Sequence, residues 1–339
     1  MSRWKPSLAD DLDALVPAVE TVLRQENSHK AHVFDRNFWH WQYVRNPSWV
    51  YVLRDDEGRI GGYYHVPVYR MTVDGEIKTA GVIQDVAVMP EARGRGEFRK
   101  LAEFAHQDLR TRGLDFIYTY PNEKSIHTFL KYNGYRHLLN YDAYLLPLRP
   151  KVLLDAKLKI PGVNRLADLL VRAYTALRTP KVPEKAEEIK RFNDDHAALF
   201  AAKKVRVQRL RSAEYLNWRY FDAPGGEHRA YEMCALGSRA LVVYKKDSMF
   251  GVHALLIMEM AGDSRVLAAL IRKTAHDADM VFAAGRSGLF GGLIRAGFFK
   301  VPLRFNPRPL KHLVLDFGNH PAVYDPNAWE LSLGDWDVF

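Results

Sequence analysis

Four basic side chains gather around two glycines between Arg93 and Lys100, and that spacing suits the binding of an anion. Arg93, Gly94, Arg95 and Gly96 follow an apolar run, Val82–Met89, and a turn at Pro90, and they precede a helical pattern that starts at Glu97. A glycine-rich loop feeding a helix N-terminus leaves backbone N–H groups without intrahelical partners, with the positive end of the helix dipole behind them. Phosphate fits that arrangement, and glycine lets the backbone approach it closely. Arg99 and Lys100 add charge at the same point. Two familiar nucleotide motifs do not match. No Lys-Ser or Lys-Thr follows the glycines, as a P-loop requires, and Arg99 stands where the dinucleotide fingerprint has its third glycine.

The run does resemble the acyl-CoA loop of the GNAT acyltransferase superfamily, Val-x-Pro-x-x-Arg-Gly-x-Gly, in the branch whose loop reads Arg-Gly-x-Gly-x-Phe. Phe98 takes the place of the usual small residue. A second segment strengthens the resemblance. Pro121, Asn122 and Ser125, followed by Phe129, Lys131, Gly134 and Tyr135, are similar to the next GNAT motif, at a suitable distance from the first. The resemblance implies a coenzyme A thioester, acetyl-CoA or another acyl-CoA, as co-substrate. Backbone N–H groups of Val86, Ala87 and Val88 would meet the pantetheine and the thioester carbonyl. Arg93, Gly94, Arg95, Gly96, Glu97 and Phe98 would hold the diphosphate, and Asn122, Ser125 and Phe129 would line the pantetheine arm.

Moving an acyl group to an amine also needs proton transfer. Many GNAT enzymes place a tyrosine seven residues after the motif asparagine; here that position is Phe129, which cannot donate. Tyr132, three residues on, and Ser125, one turn before Phe129, are the candidate hydroxyls. Gln84 takes one slot where relatives carry a carboxylate. Asp85 is the neighbouring acid, and strand alternation predicts that its side chain points to the opposite face from Gln84. His127 is a further candidate base near neutral pH, and a chain of water without a dedicated base stays open.

Around these residues the pattern reads as an α+β chain, a mixed and mostly antiparallel sheet flanked by helices, built twice. Phe38-Trp39-His40-Trp41-Gln42-Tyr43 returns 177 positions later as Tyr215-Leu216-Asn217-Trp218-Arg219-Tyr220. A strand, helix, strand, helix order recurs from Val252 to Phe299, ending in Gly297-Phe298 as the first half does in Gly134-Tyr135. A repeat at domain length predicts two tandem GNAT-like domains, at 1–150 and 191–339, with a basic helical linker at 151–190. The later copy reads Gly262-Asp263-Ser264 where the arginine loop should recur. Asp263 would repel a diphosphate and suits a helix N-cap, so this half is expected to cover the first and shape the acceptor cleft.

Composition narrows the remaining classes. No apolar run approaches the ~20 residues of a membrane span, and the first residues lack a signal-peptide core. One cysteine, Cys234, excludes an internal disulfide and suits a reducing cytoplasm; it is expected to be a small buried side chain in a strand. No cluster of His, Cys and acids has metal-site spacing. The net charge is +9, concentrated at 151–212, yet no nucleic-acid motif accompanies it. The amphipathic helix expected at 162–178 has two readings, packing on a domain or peripheral contact with an anionic membrane. The tail from Trp329 to Asp337 reads as a strand docking its tryptophans into a core, or as a platform for a sugar or an ammonium group. The acceptor expected is a small-molecule primary amine, such as an amino sugar or a polysaccharide intermediate. Aminoacyl transfer from charged tRNA, as in the tandem-domain peptidoglycan-bridge enzymes, and a non-catalytic coenzyme A-binding protein are the alternatives.

Overall fold

A computed structural model describes residues 4–26, 36–123, 125–150, 182–226, 228–249, 251–306 and 309–336, with Val152, Leu169–Val171, Ala173, Tyr174 and Leu177 besides. The first half gives β1 (Lys5–Leu8), α1 (Val16–Glu26), α2 (Arg36–Trp39) running into a π turn at His40–Val44, β2 (Ser48–Arg54), β3 (Ile60–Val73) and β4 (Glu76–Val88). It continues with α3 (Glu97–Thr111), β5 (Phe116–Thr119), α4 (Ile126–Tyr132), β6 (Arg136–Asn140) and β7 (Asp142–Pro147). The second half gives β8 (Glu187–Ile189), α5 (Asp194–Ala201), β9 (Val207–Arg209), α6 (Ala213–Tyr220), β10 (His228–Ala235), β11 (Ser238–Met249) and β12 (Val252–Gly262). Then come α7 (Ser264–Thr274), β13 (Met280–Gly285), α8 (Phe290–Arg295), β14 (Phe299–Val301) and β15 (Lys311–Asp316).

These strands form two mixed, mostly antiparallel sheets. The first runs β1-β2-β3-β4-β5-β15-β6, with β9 added against β3; the second runs β8-β10-β11-β12-β13-β7-β14. The two orders are the same once β7 and β15 are exchanged. Each half therefore gives one strand to the other's sheet: β7 lies between β13 and β14, and β15 lies between β5 and β6. The exchange makes one body of the two sheets, because neither is complete without the other half of the chain.

Sheet pleating explains the layers. Alternate side chains of one strand face opposite ways. Val82, Phe116 and Tyr118 of the first sheet join Leu241, Val243, Leu256 and Phe282 of the second in a single apolar core between the sheets. The opposite face of the first sheet, with Tyr64, Val66, Ile83 and Ile117, packs on α3 through Leu101, Ala102, Ala105 and Leu109. The opposite face of the second meets α7 through Val266, Leu267, Leu270 and Ile271. These helical positions recur at three and four residues, one stripe of each helix. The result is four layers, helix, sheet, sheet, helix.

Two expectations resolve at this level. The tail is docked: Trp329 is buried against Phe116, Tyr118 and His312, and its indole donates to the Val323 carbonyl at 3.0 Å. Cys234 lies in a strand as expected, but it is exposed. Alternation along β10 turns its neighbours Met233 and Ala235 inward and Cys234 outward. The expected helix at 162–178 falls almost entirely outside the described residues. No helix among the described residues is long and apolar enough to cross a membrane.

Candidate active site

β4 is the element on which the site is built. Its parallel pairing with β5 runs from Ala80 to Ile83 and stops, while β4 continues to Val88. On its other side β4 stays paired with β3, through Tyr63 with Ala87 and Gly62 with Val88. Among the described residues no strand pairs with the β5-facing edge of Gln84–Val88, and this stretch is half-buried rather than buried. A strand edge in that state keeps N–H and C=O groups for an extended ligand. Val86, Ala87 and Val88 therefore stand on a strand edge to which an extended ligand can add.

A bulge sits at the point of divergence. Tyr63 faces Ala87 and His65 faces Gln84, so β4 has one residue more than β3 between them. Asp85 takes that place with φ of 46°, the left-handed region that a side chain other than glycine seldom adopts. The turn in the backbone corrects the expectation of opposite faces. The Tyr43 hydroxyl donates to Asp85 Oδ2, and the Gln84 amide donates to the same hydroxyl at 3.2 Å. Gln84 and Asp85 thus meet one partner, because a bulge breaks the alternation on which the expectation relied.

Behind this trio lies His65, fully buried, with its ring 4.5 Å from Tyr43, 4.8 Å from Tyr63 and 5.1 Å from Trp39. Burial pushes its pKa down to about 4, against the pull of the Asp85 charge. It is neutral at pH 7. The sequence alone assigns no role to His65 and shows Tyr43 only as a member of the aromatic repeat. The repeat held the available signal, since Tyr43 and Tyr220 each stand two residues after the matched Trp41 and Trp218.

The loop opens the next stretch. Pro90–Ala92 make one 3₁₀ turn, and Gly94 and Gly96 follow with φ of 84° and 77°. Gly96 is the N-cap of α3 and has no side chain to cap it, so the amides of the first turn depend on another acceptor. A Cβ added at Gly94 or Gly96 would meet nothing within 4 Å, so the loop surface at these two positions is uncrowded. Arg93 reaches back to the Val88 carbonyl at 2.8 Å and ties the loop to the end of β4. Arg95 and Arg99 are exposed; Arg99 also pairs with Glu103 at 2.6 Å. Glu97 turns its carboxylate inward beside Lys100, at 2.9 Å, and presents only its backbone to the loop. Phe98 faces in as well, its ring 5.6 Å from Phe129. The donors and the uncrowded surface fit a diphosphate.

The second motif supports this loop from the side. Asn122 Oδ1 accepts from the Ser125 amide at 3.0 Å and from its hydroxyl at 3.1 Å, closing the turn into α4. Phe129 is buried between Phe98 and Tyr135 and fixes α4 against α3. Tyr132 is 43% exposed on the outer face of α4, with the Arg99 guanidinium 5.9 Å from its ring. His127 is exposed beside it, 6.3 Å ring to ring. The fold thus brings Asp85 to Tyr43 and Gln84, and brings Ser125 to Asn122, whereas Tyr132 belongs to the basic surface around Arg99. No group of three or more His, Cys, Asp or Glu among the described residues could hold a metal ion.

The second half repeats the bulge and fills it. β12 pairs in parallel with β13 as far as Ile257, gains one residue at Met258 against β11, and carries Glu259 two positions on, where β4 carries Asp85. Tyr220 donates to Glu259 at 3.1 Å as Tyr43 does to Asp85. Here the chain's own tail lies between the diverging strands. Leu331 exchanges hydrogen bonds with Arg286 at 2.7 and 2.8 Å, and a Cβ on Gly334 would stand 2.9 Å from the Met258 carbonyl. Asp263 caps α7 through the amides of Arg265 and Val266.

Comparison with known proteins agrees with this geometry. A family model described as an acetyltransferase (GNAT) domain matches residues 3–137. Residues 3–137 belong to the GNAT superfamily. The match covers the open strand edge, the glycine loop, α3 and α4, and it ends as β6 begins. No curated protein matches the sequence. Among solved structures, the chain is similar to a GCN5-related N-acetyltransferase from Anabaena variabilis at 12% identity and a TM-score of 0.63, over 92% of this chain and 72% of that one. It is similar to a probable N-acyltransferase of Enterococcus faecalis at 11% identity and a TM-score of 0.64, over 94% and 74%. It is also similar to Saccharomyces cerevisiae N-myristoyltransferase with bound myristoyl-CoA at 12% identity and a TM-score of 0.57, over 93% and 83%. At these identities the likeness establishes the fold. Because the aligned lengths take in nearly the whole chain, both sheets share it, and the two mostly antiparallel sheets are those of two GNAT-like halves.

Proposed function

We propose that this GNAT protein is an acyl-CoA-dependent N-acyltransferase that moves an acetyl group to a primary amine of a small molecule, with an amino sugar or polysaccharide intermediate as the acceptor class. The observation that carries the reading is the open edge of Gln84–Val88 leading into the uncapped, side-chain-free amides at Gly94 and Gly96. One straight path thereby joins a strand edge suited to an amide-bearing arm with a basic loop suited to a diphosphate. Coenzyme A supplies the activated thioester: the amine nitrogen bonds to the acyl carbon, the carbon–sulfur bond breaks, and sulfur leaves with the electron pair. The chain's own residues hold and orient. Val86–Val88 offer backbone groups, Arg93, Gly94, Arg95, Gly96, Glu97 and Phe98 form the loop, and Asn122, Ser125 and Phe129 set its flank. In this reading Asp85 accepts the amine proton, and Ser125 or Tyr132 gives a hydroxyl proton to the departing sulfur. The division into an acyl-CoA domain at 1–150, a basic linker at 151–190 and a covering domain at 191–339 belongs to this proposal, as does a cytoplasmic location.

Calorimetry with acetyl-CoA tests the binding half of the reading. Arg93→Ala/Arg95→Ala removes two charge-assisted phosphate contacts, each of about 1.5–3 kcal/mol, so the affinity should fall by about 100-fold or more. Unchanged affinity in the folded double variant would exclude this loop as the diphosphate site. A thiol-release assay over a panel of amines then separates an enzyme from a protein that only binds the carrier.

A further inference from the structure

Resting on the acyltransferase reading, we infer that Tyr43 is the positioning residue of the site, fixing the Asp85 carboxylate at the β4 bulge, and that Trp218 of the second half holds the turn carrying Tyr43. Four observations lead there. The Tyr43 hydroxyl donates to Asp85 Oδ2 while accepting from Gln84, which leaves its proton a single direction. The residue it holds sits at φ of 46°, a conformation that costs a non-glycine residue roughly 1–2 kcal/mol and persists only where surrounding contacts enforce it. Tyr43 itself has little freedom. It is buried, its ring lies 4.7 Å from Trp39 and 4.5 Å from His65, and its carbonyl accepts from Ser48 Oγ at 2.6 Å.

The fourth observation joins the halves. Two residues before Tyr43, the Trp41 indole donates to the Trp218 carbonyl at 2.8 Å, and the Trp218 indole donates to the Trp41 carbonyl at 3.1 Å. The rings stack at 4.8 Å with 19° between their planes. A reciprocal contact between matched residues is the signature of an isologous interface, here within one chain. An approximate two-fold axis therefore passes between Trp41 and Trp218, and it relates Tyr43 with Asp85 to Tyr220 with Glu259. The fold builds the tyrosine–carboxylate pair twice, and among the described residues only the first pair stands beside an unpaired strand edge.

The chemistry follows from the donor. A hydrogen bond to the ionised carboxylate favours that form and aims its other lone pairs away from Tyr43. Tyr43 from the π turn, neutral His65 from β3 and the uncharged Gln84 of its own strand all neighbour Asp85, and α1 packs on the same strand. Replacing the phenol by a phenyl ring introduces no charge of its own, so it should raise the proton affinity of Asp85.

Carboxyl-carbon NMR, with the Asp85 signal assigned by Asp85→Asn, reads this without turnover. In Tyr43→Phe the Asp85 titration midpoint should rise by about one pH unit, the equivalent of one hydrogen bond to a charged group. The acid limb of kcat/KM should move up by the same amount, with acetyl-CoA affinity retained. Trp218→Leu should move the midpoint the same way by less. A fluorinated tyrosine incorporated at position 43 keeps the shape, donates more strongly and should lower the midpoint, so the inference is testable even if the phenylalanine variant does not fold. A midpoint unmoved in either folded Tyr43 variant overturns it. Absence of thiol release by the unaltered protein with any amine would sink the transfer reading instead, and the NMR midpoint would still decide the Tyr43–Asp85 pairing.

Discussion

Asp85 and Glu259 occupy matched places on matched strands, yet their surroundings have diverged. Glu259 and its partners Arg211, Tyr220 and Asp335 are buried. Arg211 bridges it to Asp335 of the tail, with ion-pair distances of 2.8 Å to each, and Ser332 and Tyr220 complete its hydrogen bonds. Burial raises the Glu259 carboxyl, while the Arg211 and Arg209 charges draw Asp335 down. Around Asp85 the strand is half-buried, and the loop beyond it is basic and glycine-rich. One copy of the bulge has become a joint of the structure and the other has stayed a surface that can receive a ligand. The same backbone device serves either end, and what fills the gap between the diverging strands makes the difference.

The sharpest test of that contrast is stability. Glu259→Gln leaves the buried Arg211 short of a counter-charge and should cost about 3–5 kcal/mol in urea denaturation, whereas Asp85→Asn should leave stability within about 1 kcal/mol of the unaltered chain. Equal costs would show that both bulges are structural. Binding comes next. The arginine pair of the loop should control acetyl-CoA affinity as set out above, while Arg265→Ala, beside the matching helix start, should leave it unchanged; an effect at Arg265 would place a carrier site in the second half.

Acid titration separates the halves by a smaller amount. His65 faces the first bulge, and Val243 stands at the corresponding place opposite the second. The folded pKa of His65 is depressed below its unfolded value of about 6.5 to about 4, so the unfolded chain binds the extra proton between those limits. Stability is complete above pH 6.5 and declines as the pH falls toward 4. The decline from this residue should be about 2 kcal/mol between pH 7 and pH 5. His65→Val should remove that part of the decline, and an unchanged pH dependence would deny the buried neutral state. The smallest effect is at the helix starts. Asp263→Ala should lower stability by about 1 kcal/mol through the lost cap of α7, while α3, capped by Gly96, has no comparable side-chain cap to lose.

Much of this was readable in the residues. The run from Val82 to Phe98, with its arginines and glycines, announced a strand, a glycine turn and a helix start, because these need only local sequence. The repeat of Trp41 and Trp218 announced two similar halves, and Asp263 its helix cap, for the same local reason. Other features were set elsewhere in the chain. Strand alternation placed Gln84 and Asp85 on opposite faces, and only the bulge, defined by pairing with β3, brought both to Tyr43. Exposure of Cys234 depended on which face of β10 met the core.

By itself, then, the sequence determined the basic glycine loop, the helices and strands, and the existence of two copies, since each of these is written in neighbouring residues. Tertiary structure alone decided that β7 and β15 change places, that the tail fills the second bulge and not the first, and that Tyr43 faces Asp85. Those outcomes arise from contacts between segments far apart in the chain, where the packing of whole sheets, rather than any local preference, selects the partner.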